Sequence, residues 1–264
     1  VATCSDTCLL LETQKIMKTN VPKILHWVWL NFKDPTVRGE PPENRIPFQE
    51  SWIKHHPDYE VKVWRDAEAR ELLETHYSWF LPTYDSYPSA IFRADAIRYF
   101  ILFHYGGLYI DWDYQCFKNT DELWAYNNKQ FWAFYEPPEH AERWINNGLM
   151  AATKNSSVMK VAISYLKPAP GNMFMDVINT TGPGFLSPHA NRHPDAMIRD
   201  HRYTMPWNAA SKELQTSEEL RQHVFETTGC YALHTWDGCW GHAIDGMGNT
   251  RRRHRFNRRR LSLN

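Results

Sequence analysis

The chain reads as one α/β domain, an open twisted Rossmann-like sheet flanked by helices, and three observations predict it. Short apolar runs bounded by turn residues alternate with segments whose apolar residues recur at helical spacing, the pattern of an open α/β sheet. Residues 92–114, FRADAIRYFILFHYGGLYIDWDY, compress that pattern into a helix, a two-glycine stop, a strand and an Asp-Trp-Asp exit. The 264 residues, 42% hydrophobic and 23% charged, suffice for one sizeable core and do not demand a second.

In chain order, residues 1–20 are expected to form a short lead-in helix, with Leu9, Leu10, Ile16 and Met17 available to pack. Val21-Pro22-Lys23 opens a first strand over Ile24 to Leu30, and in such a sheet ligands lie at the strand's carboxyl end. Residues 31–45, rich in proline and charge, form a loop. Ser51 to Lys54 fall in a helix that ends at His56-Pro57. Tyr59 to Trp64 alternates as a second strand, and Asp66 is expected to cap the helix AEARELLETH that follows. Ile91, Ala94, Ile97, Ile101, Leu102 and Tyr105 then mark the helix of the key stretch. Gly106 and Gly107 stop it, since glycine turns left-handed without a Cβ clash, and Leu108 to Ile110 make a buried strand. Further strands are expected at Gln130 to Tyr135 and Asn147 to Ala152, with Ser156 capping a helix that runs through Leu166. Thr181-Gly182-Pro183 is a turn of fixed shape, residues 187–228 carry little periodicity, and Tyr231 to Trp236 closes the folded part. The layout is therefore a lead-in (1–20), a folded domain (21–245) and a basic tail (246–264).

Asp111 and Asp113, two apart on an extended chain, project the same way. Converging carboxylates repel each other unless a cation sits between them, and oxygen ligands favour Mg²⁺ or Mn²⁺ with positions left for waters and phosphates. A solvated strand end would carry the same residues. The preceding helix narrows the choice, because Asp95 and Arg98 lie three apart on one face of a largely apolar segment.

The full string of Asp95, Arg98, Tyr99, Tyr105, Gly106, Gly107, Tyr109, Asp111 and Asp113 resembles the DXD sugar-binding region of glycosyltransferase family 32. That family is related to the catalytic domain of large clostridial glucosylating toxins and to yeast initiating mannosyltransferases. The resemblance implies a GT-A-type fold and sugar transfer from a nucleotide-sugar donor with Mn²⁺ (or Mg²⁺). It implies metal ligation by Asp111, Asp113 and His234, the last in a segment similar to the family's terminal His-x-x-x-x-Trp element. Asp95 is implied to accept from sugar hydroxyls and Arg98 to donate to the sugar or phosphate, with Asn147 near the sugar. Trp29 is implied to stack on the base, at about 1–3 kcal/mol for such a contact. Trp64, Asp66, Tyr109 and Trp240 complete the implied nucleotide-sugar contacts. The family retains anomeric configuration, and front-face attack by the acceptor is what the resemblance suggests; no nucleophile stands out here. The Trp29 comparison favours a uridine diphosphate sugar carrying glucose, N-acetylglucosamine or a similar hexose; guanosine diphosphate mannose is the alternative. The acceptor, a glycan or a protein side chain, is open.

Two readings from other classes compete. Paired carboxylates also serve metal-dependent phosphoester hydrolases, although these gather more Asp and His ligands than this chain offers. Seven of the 30 basic residues crowd into residues 251–260, leaving 23 basic against 30 acidic elsewhere, and a nucleic-acid-binding module would use that tail. No nucleic acid is expected under the transferase reading, and membrane contact is expected only through the tail or an anchor outside this chain. Cys4, Cys8, Cys116, Cys230 and Cys239 match no zinc motif; in an oxidising compartment Cys4 with Cys8 and Cys230 with Cys239 are possible pairs. Asn155 and Asn179 head Asn-x-Ser/Thr triplets. No signal-peptide pattern opens the chain, no apolar run reaches a membrane span, and an opening Val reads as an excised domain. Resemblance points to the secretory pathway, with the cytosol the alternative for an effector or virus-type enzyme.

Overall fold

The computed structural model describes residues 20–31, 38–125, 128–138, 144–206 and 212–236. The expected lead-in helix, the Arg-rich tail, Trp240, Cys4, Cys8 and Cys239 lie outside the described residues. Six strands build the main sheet: β1 (Ile24–Val28), β2 (Glu60–Trp64), β3 (Gly107–Ile110), β5 (Phe131–Tyr135), β6 (Ile145–Ala152) and β7 (Ala196–Arg199). Their order is β2-β1-β3-β6-β5-β7. β1 pairs parallel with β2 and β3, β5 pairs parallel with β7, and β6 runs antiparallel to both β3 and β5. The carboxyl ends of β1, β2, β3, β5 and β7 therefore share one edge of the sheet. A separate two-stranded sheet pairs β4 (Tyr114–Cys116) with β8 (Ala232–His234).

The helices are α1 (Ile46–His55), α2 (Asp66–His76), α3 (Leu81–Ser86), α4 (Ala90–Tyr105), α5 (Ser157–Tyr165), α6 (Phe174–Thr180), α7 (Pro183–Ala190), α8 (Lys212–Thr216) and α9 (Glu218–Thr228). One core layer packs α4, α5 and α7 on the face of Val28, Tyr109 and Met150. The other packs Trp52 of α1 and Tyr114 of β4 against Leu25, Trp27, Leu108 and Ile110. α4 is nearly enclosed, with twelve of its sixteen residues buried, which explains why apolar residues surround it on all sides. Trp27, Trp52, Trp124 and Trp132 are fully buried, so much of the high tryptophan content serves packing.

β1 stops at Val28, two residues short of its expected end at Leu30. Asp66 is not the cap of α2 but its first helical residue, with Arg65 at the N-cap; the Asp66 carboxylate instead accepts from the Asn31 backbone N–H at 2.7 Å. The Glu68 carboxylate, accepting from Arg65 N–H at 3.2 Å, closes the helix start. Ser156 caps α5 as expected, accepting from Met159 N–H.

Gly106 and Gly107 have φ of 68° and 98°, and a Cβ at either would lie 2.6 Å from backbone, at Lys154 N or at Ile24 O. Both reasons, the left-handed turn and the close approach, require glycine. Buried His26 of β1 holds this turn: its Nε2–H donates to Gly106 O at 2.8 Å, while Nδ1 accepts from the Trp64 indole N–H at 3.1 Å. Burial pushes its pKa down to about 4 from 6.5. Unfolded His26 gains a proton below pH 6.5 and folded His26 only below about 4, so its contribution to stability is complete above 6.5 and is lost as pH falls between those values. The loss amounts to about 3 kcal/mol. Urea midpoints of the native chain should therefore drop from pH 7 to pH 4.5 more than those of His26→Gln; parallel profiles would contradict this role.

Candidate active site

The site assembles at the shared strand edge, where β3 ends in Asp111. The expected extended alternation of Asp111 and Asp113 is not what brings them together. The chain turns at Trp112-Asp113, Tyr114 N–H reaching back to Asp111 O at 3.3 Å, and enters β4. Trp112 is drawn into the core, where its indole N–H donates to Val28 O at 2.9 Å. β4 and β8 pair Tyr114 with His234, carrying a residue 121 positions away to the Asp113 side chain. His234 Nε2–H donates to Asp113 Oδ1 at 3.1 Å, and Thr235 N–H and Oγ1 donate to Asp113 O at 2.9 and 3.0 Å. The imidazole is stacked on Tyr114 at 4.2 Å and 9°, with Trp236 at 4.1 Å on another side.

One ligand atom from each of Asp111, Asp113 and His234 lies within 4.8 Å of the others. The residues fit a divalent ion. Ligands at right angles on a cation with bonds of about 2.1 Å stand roughly 3.0 Å apart, close to the 3.1 Å between His234 Nε2 and Asp113 Oδ1. His234 is buried, yet its Nδ1 has no partner among the described residues. Burial works against both charges, but each group stabilises the other: the His234 pKa is raised and that of Asp113 lowered, with Arg45 adding to the latter. An entering cation competes with this mutual attraction for His234 Nε2 and the Asp113 carboxylate.

Behind the aspartates, α4 supplies a buried clamp. Arg98 pairs with Asp95 at 2.7 Å and Asp111 at 3.4 Å, and donates to Asn147 O at 2.7 Å and Ala94 O at 3.3 Å. Its guanidinium lies 4.4 Å from the Tyr109 ring centre, and the Tyr109 hydroxyl donates to Asp111 Oδ1 at 2.6 Å. Asp95 is fully buried and accepts from Asn147 Nδ2 and Thr181 Oγ1, each at 3.3 Å. Burial, opposed by Arg98, pushes its pKa up to about 6. The expected direct contacts of Asp95 with sugar hydroxyls and of Arg98 with sugar or phosphate therefore meet side chains that are enclosed and committed to one another. In this geometry they brace Asp111, Asn147 and the Thr181 turn.

Trp29 is half-buried just beyond β1, edge-on to Trp112 at 6.1 Å. Trp64, expected at the nucleotide, is buried against His26 and Tyr105, and Asp66 ties α2 to Asn31. Both stand at or beyond the carboxyl end of β2, apart from the metal-ligand group.

Gly148, Asn146 and Arg45 also contribute to the site. A Cβ on Gly148 would sit 2.5 Å from Asp111 Oδ2, so the carboxylate occupies the space a side chain would take. A glycine inside a strand signals such an approach, and Asn-Asn-Gly in β6 carried that signal. Asn146 Oδ1 accepts from the Gly148 and Leu149 N–H groups at 2.8 and 3.2 Å, while its Nδ2 donates to Glu136 at 2.8 Å. Arg45, buried near Asp113, lies at the end of a stretch that reads as plain loop.

Residues 42–130 match the family described as glycosyltransferase sugar-binding region containing DXD motif. Inositol phosphoceramide mannosyltransferase 3 of Schizosaccharomyces pombe is 36% identical over 191 residues, covering 70% of this chain and 50% of the relative. Mannosyl phosphorylinositol ceramide synthase SUR1 of Saccharomyces cerevisiae is 35% identical over 170 residues, 63% of this chain and 41% of the relative. The chain thus spans half or less of the length of these relatives. Among solved structures, the PaToxG glycosyltransferase superposes with a TM-score of 0.48 at 14% identity, over 85% of this chain and 86% of that one. No helix among the described residues is long and apolar enough to cross a membrane.

Proposed function

Residues 42–130 belong to the glycosyltransferase sugar-binding region that contains a DXD motif, and from that premise we propose that the chain is the catalytic part of a metal-dependent GT-A-type glycosyltransferase. It moves a hexosyl group from a nucleoside diphosphate sugar to an acceptor hydroxyl. The sugar is mannose, which the names of two relatives support, with guanosine diphosphate as the carrier and uridine diphosphate as the competing choice. The observation that carries this reading is the convergence of Asp111, Asp113 and His234 within 4.8 Å at a strand end braced by a buried arginine.

Asp113 and His234, with Asp111 beside them, would hold Mn²⁺ or Mg²⁺. When bound, such an ion supplies positive charge against the charge that builds on the departing diphosphate. Arg98 and the Tyr109 hydroxyl fix the Asp111 carboxylate before the donor arrives, so no reorganisation is needed during transfer. Asp95 keeps Arg98 in place and, through Thr181 and Asn147, ties α6 and β6 to the same point. Trp29, half-buried just beyond the carboxyl end of β1, is the residue this reading assigns to the base. In the transfer the acceptor oxygen bonds to the anomeric carbon as that carbon's bond to the diphosphate oxygen breaks. The bonding pair leaves with the diphosphate, which also takes the hydroxyl proton.

The test is a panel of guanosine diphosphate mannose, uridine diphosphate glucose and uridine diphosphate N-acetylglucosamine with Mn²⁺ and a chelator control. Slow release of guanosine diphosphate and free mannose, abolished by the chelator, is the expected result. Nucleoside monophosphate plus sugar phosphate would mark a phosphoester hydrolase, and inertness towards every donor would end the transferase reading.

A further inference from the structure

A cavity of about 600 Å³ opens between α1, β4 and α9, walled by Phe48, Gln115, Phe117, Arg221 and Phe225. Its size is that of a small-molecule site, and the proposed transfer uses none of these residues. Gln115 alternates with Tyr114, whose ring stacks on His234, so the two side chains leave opposite faces of β4. None of Asp111, Asp113 and His234 lines the cavity.

Arg221 of α9 is only 8% exposed, yet it pairs with no carboxylate among the described residues. Its bonds go to neutral acceptors: Nε–H donates to Gln115 Oε1, and Nη1–H to Leu214 O at 2.8 Å and Gln215 O at 3.4 Å. Nη2 has no partner among the described residues. Burial pushes the Arg221 pKa below the ordinary guanidinium range, opposed by the charge of exposed Glu218. A buried cation without a counter-ion is costly, and an anion at the open Nη2 would offset that cost. The rest of the wall is aromatic. The Phe48 ring centre lies 5.1 Å from the Arg221 guanidinium, and Phe117 stacks on Phe225 at 4.9 Å and 13°. At the mouth, exposed Glu50 and Glu218 outnumber exposed Lys54, and His55, its pKa lowered by burial, is neutral at pH 7. A phosphate or other polyanion would meet those carboxylates, whereas a single negative charge needs only Arg221.

We propose that this cavity binds a small organic acid, one carboxylate on an apolar body, with the carboxylate against Arg221 and the body among Phe48, Phe117 and Phe225. The site is independent of the transferase reading. The probe is 3-phenylpropanoate, titrated calorimetrically into the full chain at pH 7. The comparisons are 3-phenylpropan-1-ol, which keeps the body without the charge, and inorganic phosphate, which keeps charge without the body. The acid is expected to bind roughly tenfold or more tightly than the alcohol, as one charge-assisted contact allows, and phosphate is expected not to bind. Arg221→Gln should bring the acid down to the affinity of the alcohol and leave the alcohol unchanged. Arg221 also ties α9 to β4 through Gln115. Phe225→Ala, at the half-buried part of the wall, is therefore the second variant, and it should weaken acid and alcohol together. Failure of the native chain to bind the acid, equal affinity for acid and alcohol, or binding of phosphate overturns the proposal. So does acid binding that Arg221→Gln or Phe225→Ala leaves as it is in the native chain. Loss of acid binding in Asp113→Asn would place the acid at the metal ligands instead, and would also overturn it.

Discussion

Asp113→Asn is expected to lower metal-dependent donor turnover by about 10³-fold, or ~4 kcal/mol in transition-state stabilisation, while the chain stays folded. The asparagine oxygen can still accept from His234 Nε2–H, as Asp113 Oδ1 does now at 3.1 Å, so the thermal midpoint should move by only a few degrees. What disappears is the negative charge. It raises the His234 pKa when no ion is bound and counters the cation when one is. The check is donor hydrolysis against Mn²⁺ concentration, with thermal unfolding of the same preparation alongside. Turnover close to that of the native chain at saturating Mn²⁺ would remove Asp113 from the ion's coordination.

Arg98→Met should produce the largest loss of stability of any single change near the site. It strands Asp95, fully buried and now ion-paired at 2.7 Å, in a low-dielectric interior. Breaking a buried pair from one side costs about 3–5 kcal/mol, which for a chain of this size is roughly 10 °C in thermal midpoint. Lysine does not repair the loss, because one ammonium cannot bond Asp95, Asn147 O and Ala94 O from the positions the planar guanidinium occupies. The double variant Asp95→Asn/Arg98→Met should regain most of the stability, since the stranded charge is gone. It should not regain turnover, because Asp111 has lost the cation 3.4 Å away. Equal stability of the single and double variants would show that the clamp is not electrostatic.

The parts of this arrangement that were legible in the chain are the local ones. The helical spacing of α4, its two-glycine stop and the buried strand after it follow from residues within one turn or one pleat of each other. Asp95 and Arg98 on one helix face are readable for the same reason. His234 is different: resemblance, not spacing, pointed to it, since only the β4–β8 pairing carries it to Asp113. Asp66 looked like a cap because its residue type suits one, yet its carboxylate found a better-placed donor in the Asn31 backbone, 35 residues earlier. The Asp-Trp-Asp geometry was misjudged because the Trp112 indole is pulled inward onto Val28 O, which bends the chain at that point. β7 went unread because its four residues are all half-buried and show no alternation. Glu136 is invisible in the sequence for a related reason: its importance lies in a bond from Asn146 of the neighbouring strand.

The proposed transfer requires a divalent ion seated between Asp111, Asp113 and His234. Diffraction at the manganese edge from crystals soaked with Mn²⁺ and guanosine diphosphate tests this directly. An anomalous peak at about 2.1 Å from Asp113 and His234, with the diphosphate oxygens on its open side, is the predicted result. A well-ordered diphosphate with no peak there, and His234 still bonded to Asp113 as in the ion-free chain, would contradict it.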